Sequence, residues 1–190
     1  SHYDNIAEMG ERITAAAAAT GIGLTLCPVL YAHSGFGGQA PGDGQRRFIN
    51  NADSYLRLLE GCAAAIKGHD GMALGIAPHS LRAVTGDLLT AVLEASDPVT
   101  GSGPVHIHIA EQPKEVQEVL AGLGARPVEW LLDNAPVDAK WCLIHATHMT
   151  DDETRNMAAS GAVAGLCPVT EANLGDGPFN VATYLQAGGA

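Results

Sequence analysis

The segment from Pro104 to Gln112 reads PVHIHIAEQ, and its strict alternation sets the architecture. Apolar Val105, Ile107 and Ile109 interleave with His106 and His108, the period of two that places both imidazoles on one face of a strand. Working outward, four more apolar runs bounded by turn residues read as strands: 22–31, 72–78, 141–146 and 162–167. The spacing of Ile6, Met9, Ile13 and Ala17 predicts a first helix, with Asn5 and Glu8 as a capping-box-like start. Tyr55, Leu58, Leu59, Cys62 and Ile66 share one face of a second. Further helices are expected over 85–93, 114–123 and 128–134, after the Thr150/Glu153 cap, and over 181–186 before the Gly188-Gly189 pair. Strands alternating with helices, without a long linker or internal repeat, indicate a parallel α/β architecture, either barrel or open sheet.

The placement of polar residues favours the barrel. His79 with Arg82, His108 with Glu111, His145 with His148, and Glu171 with Asn173 all fall at or just past the carboxyl end of an expected strand. In a β/α barrel that end is the active-site face, and several strands contribute to it. An open sheet concentrates its site at one crevice, and no glycine-rich phosphate fingerprint is present to support one.

Bulk properties exclude several classes. The 190 residues carry a net charge of −11 with only ten Lys and Arg, which would repel a phosphate backbone and argues against nucleic acid. No apolar run approaches the roughly 18 residues of a membrane span, so no membrane association is expected. Cys27, Cys62, Cys142 and Cys167 lie far apart with no C-x-x-C pair, and read as reduced, buried residues of a cytoplasmic protein.

In the 104–112 segment, His108 is nearer the strand end and could ligate zinc, with Glu111 just beyond it as a proton shuttle. A pair of hydrogen-bonded interior histidines would look the same. Residues 141–148, WCLIHATH, deliver His145 at the end of another apolar strand, either as a reactive group or as a satisfied polar plug. Arg82 offers a planar fork suited to a carboxylate, with His79 three residues before it; a surface arginine at a helix start is the plain alternative. The glycine-rich stretch 34–44 reads equally as a lid or an ordinary loop. Glu171 and Asn173 either line a pocket or cap the turn after the last strand.

Together, PVHIHIAEQ (104–112), WCLIHATH (141–148) and GAVAGLCPVTEANLGDG (161–177) resemble the amidohydrolase superfamily in its deaminase and chlorohydrolase branch. The stretches HSLRAV (79–84), GFGGQ (35–39), QRRFIN (45–50) and TEANLGDG (170–177) narrow the resemblance to the formimidoylglutamate deiminases of histidine degradation. The resemblance implies a Zn2+ cofactor with His108 as a ligand, and Glu111 as the acid/base near the leaving nitrogen. It makes His145 the group that assists water and transition state, and His79 and Arg82 the substrate-binding pair. The implied reaction is hydrolysis of N-formimino-L-glutamate to N-formyl-L-glutamate and ammonia, with a small acidic amidine as partner and a homodimer as the intact protein. A related deaminase acting on a purine- or pyrimidine-like ring, and a non-catalytic half-barrel, are the competing readings.

The superfamily's first-strand H-x-H pair and eighth-strand aspartate are absent from these residues. The expected fold class is therefore a partial (β/α)8 TIM-type barrel, strands three to seven. Residues 1–190 would form the central part of the catalytic domain, with the remaining zinc ligands and any small β domain outside this chain. Tyr3 receives no assignment.

Overall fold

The computed structural model describes residues 4–189; Tyr3 lies outside them. The chain forms two compact bodies, one of residues up to Pro78 with Ala83–Val105, the other of His79–Arg82 with the chain from His106 onward.

In chain order the first body contains α1 (Glu8–Thr20), β1 (Leu24–Leu26), β2 (Val29–Leu30), a 3-10 turn (Asp43–Phe48), α2 (Ala52–Ile66), β3 (Met72–Leu74), β4 (Ala77–Pro78) and α3 (Gly86–Thr100). Pairing is parallel: Leu24 faces Met72 across β1 and β3, and Val29 faces Ala77 across β2 and β4. The two runs expected as continuous strands are thus each broken in two. Pro28 has no N–H to offer the ladder, and its carbonyl accepts from Ala77 N at 3.0 Å and from the Tyr55 hydroxyl at 2.8 Å. Tyr55 is fully buried, and that burial raises its pKa. Because Ala77 still satisfies the Pro28 carbonyl, Tyr55→Phe should cost only about 1 kcal/mol. Leu59→Ala, which opens a cavity at a fully buried site, should cost about 2–5 kcal/mol. Chemical denaturation checks both, and a Tyr55→Phe loss matching that of Leu59→Ala would contradict this ordering.

The first helix differs from expectation in start and in face. Asn5 meets Glu8 only through the backbone, its carbonyl accepting Glu8 N at 3.4 Å; its Oδ1 accepts from Ala7 N at 3.0 Å and its Nδ2 reaches Glu11 at 3.0 Å, with Ala7 at the N-cap. Met9 and Ile13 are exposed, and the buried positions are Gly10, Thr14 and Ala17. Small residues win because α1 and α2 nearly touch: a Cβ on Gly61 would stand 2.5 Å from that of Ala7, and one on Gly10 2.7 Å from Cys62 Sγ. A larger apolar face could not approach so closely.

The second body holds β5 (Val105–Ile109, from His106 onward), α4 (Pro113–Leu123), α5 (Pro127–Asn134), β6 (Trp141–His145), α6 (Asp151–Ser160), β7 (Val163–Gly165), α7 (Pro168–Leu174) and α8 (Val181–Gln186). The sheet order is β5-β6-β7, with Cys142 opposite Val163 in the parallel β6/β7 pair. The alternation in β5 is as expected, with Ile107 and Ile109 buried and His106 and His108 half-buried on the other face. The Thr150/Glu153 box closes reciprocally, at 3.1 Å from Glu153 N to Thr150 Oγ1 and 2.8 Å from Thr150 N to Glu153 Oε2. The same Glu153 oxygen takes Arg126 Nε at 2.6 Å, tying α5 to the start of α6.

The last strand is shorter than its apolar run. Leu166 is exposed, and the chain turns at Cys167 into α7, with Pro168 in the first turn where its missing N–H costs nothing. All four cysteines are free, but only Cys62 is buried; Cys27, Cys142 and Cys167 are half-buried. Among the described residues no helix is long and apolar enough to cross a membrane.

A candidate active site at the ends of β5 and β6

All five residues singled out as candidates lie in the second body. His79 and Arg82 enter it as a short segment whose flanking residues belong to the first body, and His79 meets β5 through its backbone. The His79 carbonyl accepts His108 N at 3.0 Å and stands 2.9 Å from His108 Nδ1. A carbonyl only accepts, so Nδ1 carries the proton and Nε2 keeps its lone pair, the arrangement that suits a metal-ligating imidazole.

The histidine rings form a row. Centroids of His79 and His108 are 4.9 Å apart, and those of His108 and His145 5.5 Å. His145 Nε2 is 3.4 Å from Glu111 Oε1, and its Nδ1 is 3.1 Å from Glu171 Oε1. Burial, then His108, then Arg82 lower the His79 pKa to about 4, so that ring is neutral. Burial and His108 also push His106 down.

The backbone at these strand ends is unusual. Among the described residues the non-glycine positions with positive φ are Ala110 (49°), His145 (69°) and Ala146 (48°). Such conformations cost on the order of 1–3 kcal/mol each and persist only where the surroundings impose them. At β5 the constraint is Glu115, whose two oxygens accept Ala110 N at 2.9 Å and Glu111 N at 3.0 Å. Burial raises the Glu115 pKa, opposed by those two N–H groups and by Arg82. At β6, Ala146 N donates to Ile109 O at 3.0 Å, and His148 N to Ala110 O at 2.9 Å.

Arg82 is half-buried and lines a small cleft with Glu111, Gln112, Lys114, Glu115 and Glu118. The guanidinium thus shares a cleft with the carboxylate that faces His145. Glu171 is buried against His145, whereas Asn173, on the same short helix, is exposed and does not join the group. Donor atoms of His145, Cys167 and Glu171 lie within 4.8 Å of one another. Reading the sequence missed Glu115 altogether, although a glutamate in the first turn of α4, after Pro113, is a recognisable reach-back position.

The sequence matches the amidohydrolase family over residues 2–190. The chain belongs to the amidohydrolase family. Formimidoylglutamate deiminase of Pseudomonas aeruginosa is 54% identical over 187 residues, covering 98% of this chain and 40% of that protein. A 5-methylthioadenosine/S-adenosylhomocysteine deaminase of Bacillus cereus is 27% identical over 146 residues, or 77% of this chain and 32% of that one. Among solved structures, an amidohydrolase from Brucella melitensis superposes with a TM-score of 0.94 at 59% identity, covering all of this chain and 41% of the other. An adenosine deaminase from Xanthomonas campestris with bound zinc gives 0.77 at 20% identity, covering 95% and 38%, and shares the fold. The fold class is thus the expected one, part of an amidohydrolase (β/α)8 barrel. This amidohydrolase chain spans between about one third and two fifths of the length of these relatives.

Proposed function

We propose that this amidohydrolase chain contributes to hydrolytic deimination of N-formimino-L-glutamate, yielding N-formyl-L-glutamate and ammonia, in the full-length protein. One observation carries the reading: His145 Nε2 faces Glu111 Oε1 at 3.4 Å beside the ring of His108, in a chain 54% identical to a formimidoylglutamate deiminase. Zinc fits the donor set, because His108 Nδ1 is committed to the His79 carbonyl and Nε2 is left as the ligating atom. Bound there, the metal would supply the Lewis acidity that makes water nucleophilic near neutral pH.

The remaining work falls to the chain's own side chains. Water adds to the formimino carbon as Glu111 takes one of its protons and passes it to the imino nitrogen; the second proton, from the added hydroxyl, reaches the same nitrogen by way of Glu111 as the formyl C=O forms and the C–N bond to ammonia breaks. His145 presents Nε2 to the same region and stabilises the charge that develops as water adds. Arg82 binds a carboxylate of the glutamyl portion with its fork of donors, and neutral His79 adds a polar contact beside it. Within the cleft shared with Glu111, Glu115 and Glu118, Arg82 and Lys114 are the cations that can meet an acidic substrate, against a chain net charge of −11. The substrate of this reaction is a small acidic amidine.

Arg82→Ala tests the substrate assignment. KM for N-formimino-L-glutamate should rise at least about tenfold, the loss expected for a charge-assisted contact, while zinc content stays at the wild-type level. Steady-state kinetics with metal analysis provide the check, and an unchanged KM would remove Arg82 from the substrate site.

A further inference from the structure

We propose that Glu171 is a positioning residue: its buried carboxylate holds the Nδ1–H of His145 and thereby turns Nε2 toward Glu111. This deepens the deimination reading and rests on it for the kinetic consequences. Glu171 is 6% exposed and sits in the short helix after Cys167, far in sequence from His145. One oxygen, Oε1, is 3.1 Å from His145 Nδ1 and accepts Cys167 N at 2.8 Å. Glu171 N in turn donates to the Cys167 carbonyl at 3.0 Å, so the carboxylate is anchored by its own helix start.

The chemistry of that contact is directional. An ionised carboxylate only accepts, so the ring nitrogen facing it must carry a proton. Nδ1 is thereby the protonated nitrogen, and Nε2 is the one available at 3.4 Å from Glu111. The backbone is consistent with such a restraint: His145 has φ of 69° and Ala146 48°, conformations that persist only where the surroundings impose them. A carboxylate orienting an imidazole through Nδ1 is the general logic by which a third group sets the tautomer of a reactive histidine.

Cys167 suggests a rival. Its thiol, His145 and Glu171 have donor atoms within 4.8 Å, close enough for a second metal ion. The hydrogen bonds favour positioning, because the Glu171 oxygen nearest His145 already accepts the Cys167 N–H.

The test compares wild type, Glu171→Ala, Glu171→Gln and Cys167→Ser in the zinc-loaded full-length protein. In Glu171→Ala, kcat for N-formimino-L-glutamate should fall roughly 10²-fold, with KM within about threefold and zinc content unchanged. Glu171→Gln should recover most of the loss, since one amide oxygen can accept the same two N–H groups. The 15N signals of His145 should show a single Nδ1-protonated form in wild type and a mixture in Glu171→Ala. That spectrum needs no substrate, so it tests the positioning even if wild type proves inactive on N-formimino-L-glutamate and the deimination reading fails. A wild-type kcat in Glu171→Ala, a loss confined to KM, or unchanged ring signals would overturn the proposal. So would a second zinc equivalent that disappears in both Glu171→Ala and Cys167→Ser.

Discussion

Glu111→Gln should lower kcat on N-formimino-L-glutamate by about three to four orders of magnitude while leaving KM and zinc content near wild type. The replacement keeps the shape of the side chain and leaves the backbone N–H of residue 111 bonded to Glu115, so the turn after β5 stays in place. What disappears is the ability to take a proton from water and deliver it to the departing nitrogen. Positioned proton transfer is worth about 10²–10⁴-fold; Glu111 is asked to act on both partners of the reaction, which puts the expectation at the upper end. A parallel fall of kcat and kcat/KM is the signature of an interaction made in the transition state. A loss smaller than about tenfold would assign proton transfer to another group.

His108→Ala should have a comparable effect on rate by a different route. Nε2 is the atom offered for metal, and the Nδ1 contact with the His79 carbonyl fixes the ring's direction. Removing the imidazole should lower zinc occupancy and abolish measurable ammonia release, and added zinc should not restore it. His79→Ala keeps the ligand and the backbone carbonyl, so it should retain zinc. The two variants separate metal binding from substrate binding in one comparison of zinc stoichiometry. Full zinc occupancy in His108→Ala would rule out His108 as a ligand.

The sequence was most informative where chemistry and periodicity coincided. In β5 the alternation of Val105, Ile107 and Ile109 with His106 and His108 could be read directly, and so could His145 at the end of an apolar run. Strand-end placement drew His79, Arg82, His108, Glu111, His145, His148, Glu171 and Asn173 into one expected group; all lie in the second body, with Asn173 exposed and outside the cluster. Periodicity failed in α1, where Met9 and Ile13 mark an apolar face that the fold leaves exposed. The constraint there is contact with α2 across Ala7, Gly10 and Gly61, a tertiary fact with no trace in local pattern.

The two buried glutamates show the same limit at the site. Glu115 serves backbone N–H groups four and five residues before it, a local contact that a reading for catalytic residues passes over. Glu171 reaches His145 across 26 positions of sequence, and only the fold brings them together. Pro168, directly after the last apolar run, suits a helix start, and the short helix it opens is what places Glu171.

The central claim is that this cluster serves hydrolysis of an acidic amidine. The most direct measurement is ammonia release by the zinc-reconstituted full-length protein on N-formimino-L-glutamate, 5-methylthioadenosine, guanine and cytosine under one set of conditions. The account predicts a kcat/KM for N-formimino-L-glutamate at least about 10²-fold above any ring amine, since only the acidic substrate uses the Arg82 fork. A higher kcat/KM for 5-methylthioadenosine, guanine or cytosine would contradict it.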